Sequence, residues 1–262
     1  MKKKLLAGLV LSGLVGGSAF AGTGMYVELS GGMANVTGQH SLDGSLKKSN
    51  DPDSKYMHIG GIDSKYGTNM ATGKVLFGYT VYKTKGFSFS PEIYYQKVSG
   101  NSSRTNVAIP SNDGDAEITG GGNLGYRVGD QFGVDLRVGY DLSDSNTVYV
   151  KGGYAAQKIT LNDDLDVSDK PDAQSGTFSG LVDADKARYM QGATFGLGLE
   201  HKINKTISLF ADWNAFYSFG KINNTKVTTL GGGKGAAPTV KVEDNLKNMF
   251  VQSVQAGVKF NF

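Results

Sequence analysis

From Gly22 onward the chain repeatedly places apolar residues at every second position over stretches of about ten residues. That is the period of an extended strand, whose side chains point to opposite faces in turn. Val27, Leu29 and Met33 alternate with Glu28, Ser30 and Ala34. Gly73, Val75, Phe77, Tyr79 and Val81 oppose Thr72, Lys74, Gly78 and Thr80, and Phe87, Phe89, Ile93 and Tyr95 oppose Ser88, Ser90, Glu92 and Gln96. Further on, Phe132, Val134, Leu136, Val138 and Tyr140 oppose Gly133, Asp135, Arg137 and Gly139, and Val148, Val150, Tyr154 and Ala156 oppose Lys151, Gly153 and Gln157. Phe195, Leu197 and Leu199 oppose Thr194, Gly196, Gly198 and Glu200. Ile207, Leu209, Trp213, Ala215, Tyr217 and Phe219 oppose Ser208, Asp212, Asn214 and Ser218. The last segment sets Val254, Ala256, Val258, Phe260 and Phe262 against Ser253, Gln255, Gly257, Lys259 and Asn261.

Composition narrows the field. The 262 residues include 38 glycines and no cysteine. The glycines lack the period of three that collagen needs, and 13 Tyr with 13 Phe argue against intrinsic disorder. No apolar run reaches the 18 or more residues of a spanning helix. Lys2, Lys3 and Lys4 precede the apolar run Leu5 to Val15, and Ser18-Ala19-Phe20-Ala21 closes it. A basic stretch, a short apolar stretch and an Ala-x-Ala site predict a signal peptide over residues 1–21 and an exported barrel domain over 22–262. Removing those three lysines turns 27 basic against 24 acidic residues into 24 against 24. A neutral mature chain is not a nucleic-acid partner, because phosphate backbones demand surplus cations. Without cysteine the chain carries neither disulfides nor a lipoprotein anchor.

Each alternating segment has the length at which a tilted strand crosses a bilayer, about 9–11 residues. Soluble sandwich strands alternate too, so the connections decide. Val81 to Gly86, Asp141 to Asn146 and His201 to Lys205 are short, whereas 37–69, 159–188 and 221–247 are long and rich in Gly, Asp, Ser, Asn and Lys. Short turns alternating with long loops are the layout of outer-membrane barrels. Ala116 to Tyr140 reads in two ways. Ile118, Leu124, Tyr126 and Val128 share the even parity of Phe132 to Tyr140, so it is either two strands joined at Gly129-Asp130-Gln131 or one long strand. One strand keeps every long loop on the same side, which predicts eight strands, with ten as the alternative.

Three stretches carry a family resemblance. Leu136-Arg-Val-Gly-Tyr140 with Val148-Tyr-Val-Lys-Gly-Gly-Tyr154 forms one hairpin; Gly196-Leu-Gly-Leu-Glu200 with Leu209-Phe-Ala-Asp-Trp213 forms the next. The third is the terminal alternation Val254, Ala256, Val258, Phe260 and Phe262. Together they resemble the eight-stranded outer-membrane family that includes the OmpA transmembrane domain and the opacity-type porins. The resemblance covers the strands and not the loops. It implies an all-β, antiparallel up-and-down transmembrane barrel in the outer membrane of a Gram-negative cell. It also implies that the terminal strand is the signal read by the barrel-assembly machinery. The chain ends with the barrel, so no peptidoglycan-binding domain is expected.

In such a barrel the polar faces would bring Glu28, Glu92, Asp135, Glu200 and Asp212 together with Lys74, Arg137, Lys151 and Lys259. A soluble core would not tolerate these charges facing inward, but a narrow barrel can if they pair. Eight strands leave an interior just wide enough for side chains, so a plugged lumen is expected. Glycines 78, 133, 139, 153, 196, 198 and 257 would make room for the long charged chains. The lipid face would present Phe87, Tyr95, Tyr126, Phe132, Tyr140, Tyr154, Trp213, Tyr217, Phe219 and Phe262, many of them at the interfacial girdles.

Candidate chemistry is sparse. Small barrels that act as enzymes use histidine near the external rim, since imidazole suits general-base work near neutral pH. His201 falls in a short turn; His40 and His58 fall in the first long connection, His40 with Ser41 and Asp43 nearby. Adjacency in sequence makes no triad. Asp163, Asp164, Asp166, Asp169 and Asp172 lack the spacing of a calcium loop, and the GGGKG run at 231–235 lacks the Ser or Thr of a phosphate cradle. No catalytic residue, metal or cofactor is therefore assigned. The expected function is a surface protein or adhesin, a surface antigen whose long loops bind host or environmental ligands. A narrow passive porin is the alternative, and a lipopolysaccharide-modifying enzyme the third reading. Outer-membrane lipids and lipopolysaccharide are the expected surroundings.

Overall fold

The computed structural model describes residues 24–47, 57–84, 86–99, 105–109, 117–124, 126–161, 164–170, 187–229 and 239–262. The predicted signal segment 1–21 and the GGGKG run lie outside the described residues. The elements are β1 (Met25–Lys47), β2 (Met57–Tyr79), β3 (Tyr82–Thr84), β4 (Phe87–Ser99), β5 (Thr105–Ile109), β6 (Glu117–Leu124) and β7 (Tyr126–Asp141). They continue as β8 (Asn146–Leu161), β9 (Asp164–Lys170), β10 (Ala187–Lys202), β11 (Ile207–Ser218), β12 (Ile222–Thr229) and β13 (Thr239–Asn261).

Eight antiparallel strands pair in the order β1-β2-β4-β7-β8-β10-β11-β13, and β13 pairs back onto β1. The closing seam runs from Tyr26 opposite Asn261 to Lys47 opposite Thr239. The amide of Phe262 donates to the carbonyl of Met25 at 3.0 Å, so both ends of the barrel meet at the short-turn rim. Closure satisfies every ladder without leaving an edge, the condition for strands to stand in lipid. β3 extends the turn before β4, β12 pairs the upper part of β13, and β5, β6 and β9 form a separate three-stranded sheet.

The alternation read from the sequence sets the two faces of the ring. Ile93, Val150, Leu199 and Val254 are each about three-fifths exposed, whereas their neighbours Glu92, Lys151, Glu200 and Ser253 are at most 5% exposed. An apolar outside around a charged inside inverts a soluble fold and fits a hydrocarbon solvent.

The ambiguous segment does not break at Gly129-Asp130-Gln131: β7 runs through it with a bulge, and the part before Tyr126 is β6, which belongs to the separate sheet. Val128 pairs with Ile159 and Gln131 with Gln157, so β7 uses one residue more than β8 between the same two rungs. The Gln157 amide donates to the carbonyls of Gly129 at 2.9 Å and Asp130 at 3.3 Å, which ties the bulge to β8. An extra residue reverses side-chain parity. Tyr126 is consequently not a lipid-face aromatic: it is fully buried inside the barrel, beside Val128, and Arg127 takes the outer face.

The connections 37–69, 159–188 and 221–247 also contain more strand than their composition suggests. β1 and β2 stay paired up to Leu46 opposite Met57, and β12 pairs β13 from Ile222–Leu246 to Thr229–Thr239. These ladders extend the barrel wall beyond the apolar band on the side away from the short turns. On β13 a second irregularity falls between Thr37 and Gln39 of β1, where Asn248 adopts a φ of 54°. Asn is among the few residues that tolerate this region, and its amide donates to Gln39 Oε1 at 3.2 Å.

Candidate functional site

The lumen has two layers of different chemistry. Nearer the short turns, Arg137 of β7 is the hub. Its guanidinium donates to Glu28 Oε1 at 2.5 Å and to Glu200 Oε2, and lies 3.7 Å from Glu92 Oε1. Lys259 reaches Glu200 at 3.0 Å. One rung further in, Asp212 Oδ2 is shared by Lys151 at 2.5 Å and Lys74 at 3.5 Å, and the Asn214 amide donates to its other oxygen at 2.8 Å. All of these residues except Asn214 are at least nine-tenths buried. Desolvated charges persist only where partners and hydrogen bonds compensate them. Asp135 differs from the rest: it accepts from the Thr194 hydroxyl at 2.5 Å and has no ion pair among the described residues.

Three tyrosines brace this layer, and each stands directly across from a glycine of the next strand. Tyr26 pairs with Gly78, Tyr94 with Gly133 and Tyr149 with Gly198. A Cβ at any of these glycines would meet the opposite ring at 2.2–2.4 Å, so the ring lies flat on bare backbone. These three glycines thus seat aromatic rings, whereas a Cβ at Gly196 would meet Lys151 Cε at 3.0 Å and one at Gly153 would meet Asp135 Oδ1 at 2.5 Å. The rings in turn hold the cations: Arg137 lies 3.6 Å from the Tyr149 centroid and Lys259 4.0 Å from that of Tyr26. Cation–π contacts gain strength when desolvated. The Tyr26 hydroxyl donates to Glu92 at 2.5 Å.

Above the charges the lumen turns apolar. Val36, Met70, Val98, Tyr126, Ile159, Leu161, Met190, Phe216, Ile222, Leu246 and Met249 are essentially fully buried and belong to one cluster. No expectation from the sequence placed this plug. A void of about 20 Å³ lies between the layers, lined by Lys74, Asp135, Gln96, Gln131 and Ser253 among others; it has room for one water. At the short-turn end a vestibule of about 550 Å³ ends on Arg137, Glu200 and Lys259. On its rim burial opposes ionisation of Asp141. The Thr147 hydroxyl at 2.5 Å, Lys202 at 3.2 Å and Lys83 at 3.7 Å outweigh burial and hold its carboxyl below the ordinary range.

The remaining expected positions distribute as follows. Phe87, Phe132, Tyr140, Tyr154, Tyr217 and Phe219 are exposed on the outer face, and Tyr95, Trp213 and Phe262 half-exposed there. Phe87 packs on Tyr140 with centroids 4.8 Å apart, and Tyr95 on Phe132 at 5.0 Å. Val254 and Ala256 are exposed and Val258 and Phe260 half-exposed on the outward side of β13. His40 lies in β1 opposite Ser64 and Leu246, and His58 in β2 opposite Ser45. His201 is the last residue but one of β10, with its ring nitrogen 2.9 Å from Asn146 Oδ1. Asp164, Asp166 and Asp169 lie in β9; Asp163 and Asp172 fall outside the described residues. Among the described residues no group of three or more His, Asp or Glu could hold a metal.

A closed antiparallel barrel with an apolar exterior and a charged interior defines a transmembrane β-barrel; the protein is of the outer-membrane kind. No protein-family model and no curated protein matches the sequence. Among solved structures, the chain is similar to Neisserial surface protein A, at 11% identity and TM-score 0.41, covering 91% of this chain and 97% of that one. It is similar to the outer membrane protein OprG of Pseudomonas aeruginosa, at 12% and TM-score 0.40, covering 92% and 96%. It is also similar to the outer membrane protease OmpT of Escherichia coli, at 8% and TM-score 0.44, covering 91% and 96%. The strand pairing, not these distant likenesses, defines the barrel.

Proposed function

We propose that the protein is a non-conducting surface barrel whose long extensions bind ligands outside the cell, in the manner of an adhesin. The observation that carries this reading is the double closure of the lumen: an ion-paired layer below and an apolar plug above leave no aqueous path of the size a porin needs. What lies beyond the bilayer is substantial, since β1, β2, β12 and β13 continue as paired wall. Binding surfaces concentrate on such connections when a rigid frame holds them.

The test has two arms. In planar bilayers the reconstituted protein gives no discrete conductance steps, whereas a narrow porin gives them. On the cell surface, a variant with the β1–β2 hairpin shortened between Ser41 and Asp63 keeps its heat-dependent gel shift but loses adherence to host-cell monolayers or matrix proteins. Conductance steps from the intact protein, or adherence unaffected by the shortening, contradict the proposal.

A further inference from the structure

We infer that the outer wall of β4, β7 and β8 is a binding site for a phosphate-bearing, multiply acylated lipid of the external leaflet. The inference rests on the barrel standing in an outer membrane. An apolar groove of about 810 Å³ runs across the lipid face here, floored by Val75, Tyr95, Phe132, Val134 and Ala156. Register aligns Val75, Tyr95, Phe132 and Ala156 in one row, with Phe77, Ile93, Val134 and Tyr154 in the row beneath. Immediately above sit three outward-facing cations, Lys97, Arg127 and Lys158. None of them makes an ion pair among the described residues.

The bulge builds this arrangement. Without it Arg127 would point into the lumen; with it, Arg127 joins the outer face, and the Lys158 side chain lies alongside Gly129, where an added Cβ would meet Lys158 Cδ at 3.6 Å. Lys97 stands opposite Asp130. Asp130, the one carboxylate of this rim among the described residues, accepts from the Tyr95 hydroxyl at 2.9 Å, and the described rim is cationic by three charges to one. The height is right as well. Ten strand residues separate Asp130 from the lower-girdle Tyr140, and at about 3.3 Å each with a tilt near 40° they cover roughly 25 Å, the height of the apolar band. Cations at that level face phosphates, and the groove below receives acyl chains. A headgroup alone would use only half the site.

Native mass spectrometry of the detergent-solubilised protein tests this with phosphorylated lipid A, dephosphorylated lipid A and phosphatidylcholine as probes. The wild type retains phosphorylated lipid A preferentially. The triple variant K97Q/R127Q/K158Q weakens that retention on the order of tenfold to a hundredfold, and A156W, which fills the groove without touching a charge, weakens it too. Every variant is first checked for its heat-dependent gel shift; if the triple variant fails that check, the pair R127Q/K158Q replaces it. Retention of the three lipids without preference, or variants that bind as the wild type does, overturns the inference while leaving the barrel intact. A wild type that stays soluble without detergent and shows no gel shift overturns the barrel reading itself.

Discussion

The two halves of the lumen are closed by opposite means. The lower half holds Arg137, Lys74, Lys151 and Lys259 against Glu28, Glu92, Glu200 and Asp212, whereas the upper half holds aliphatic and aromatic side chains. Both fill the same narrow tube, yet they respond differently to damage. In the charged layer, removing one partner strands another in a desolvated space, and the penalty is that of an uncompensated buried charge. In the apolar layer, removing a side chain costs its transfer energy and leaves a cavity. The charged layer is therefore the more brittle closure and the apolar plug the more forgiving one.

The largest effect belongs to Asp212→Ala, which leaves Lys74 and Lys151 without their shared carboxylate. We expect a loss of about 3–5 kcal/mol, read as a lowered urea midpoint for the folded band in detergent. The triple replacement K74M/K151M/D212L should restore most of that stability, because apolar groups of similar volume substitute for buried ion pairs at little cost. In the plug, Ile159→Ala should cost about 2–4 kcal/mol by the same assay, with no conductance gained, because the charged layer below stays shut.

Glycine substitutions sharpen the role of the tyrosine rings. Gly198→Ala drives a methyl into Tyr149 and should cost about 1–3 kcal/mol. Gly31→Ala, where the nearest atom is 3.8 Å away, should change the midpoint little. The smallest effect belongs to the rim. Because the folded Asp141 carboxyl is held below its ordinary range, its stabilisation is present above the unfolded value near 4 and fades as pH falls through the folded one. Partly exposed pairs contribute at most about 1 kcal/mol. Unfolding midpoints between pH 7 and 2 should show this drop in the wild type and not in Asp141→Asn.

The sequence revealed one half of the lumen and hid the other, for a physical reason. Along Phe132 to Tyr140 one face must meet hydrocarbon and the other carries Asp135 and Arg137, so parity alone marks inside and outside. Above Gln131 the inside is apolar too, and Tyr126 and Val128 look the same whichever way they point. The only trace of the reversal was the Gly129-Asp130 pair, which reads equally well as a turn. The tyrosine–glycine pairs were hidden differently: each joins residues of neighbouring strands, and register across strands is not written in either strand alone. The ladders beyond the bilayer were masked by their polar composition.

The most direct measurement exploits the absence of native cysteine. Single cysteines placed along 126–140 and labelled with an environment-sensitive fluorophore in vesicles containing brominated lipid report which residues touch hydrocarbon. Quenching at 132, 134, 136, 138 and 140, followed above the bulge by weaker quenching at 127, at the level of the headgroups, and protection at 126 and 128, is the predicted outcome. Quenching that continues on the even positions through 128 and 126, with 127 protected, would contradict the account.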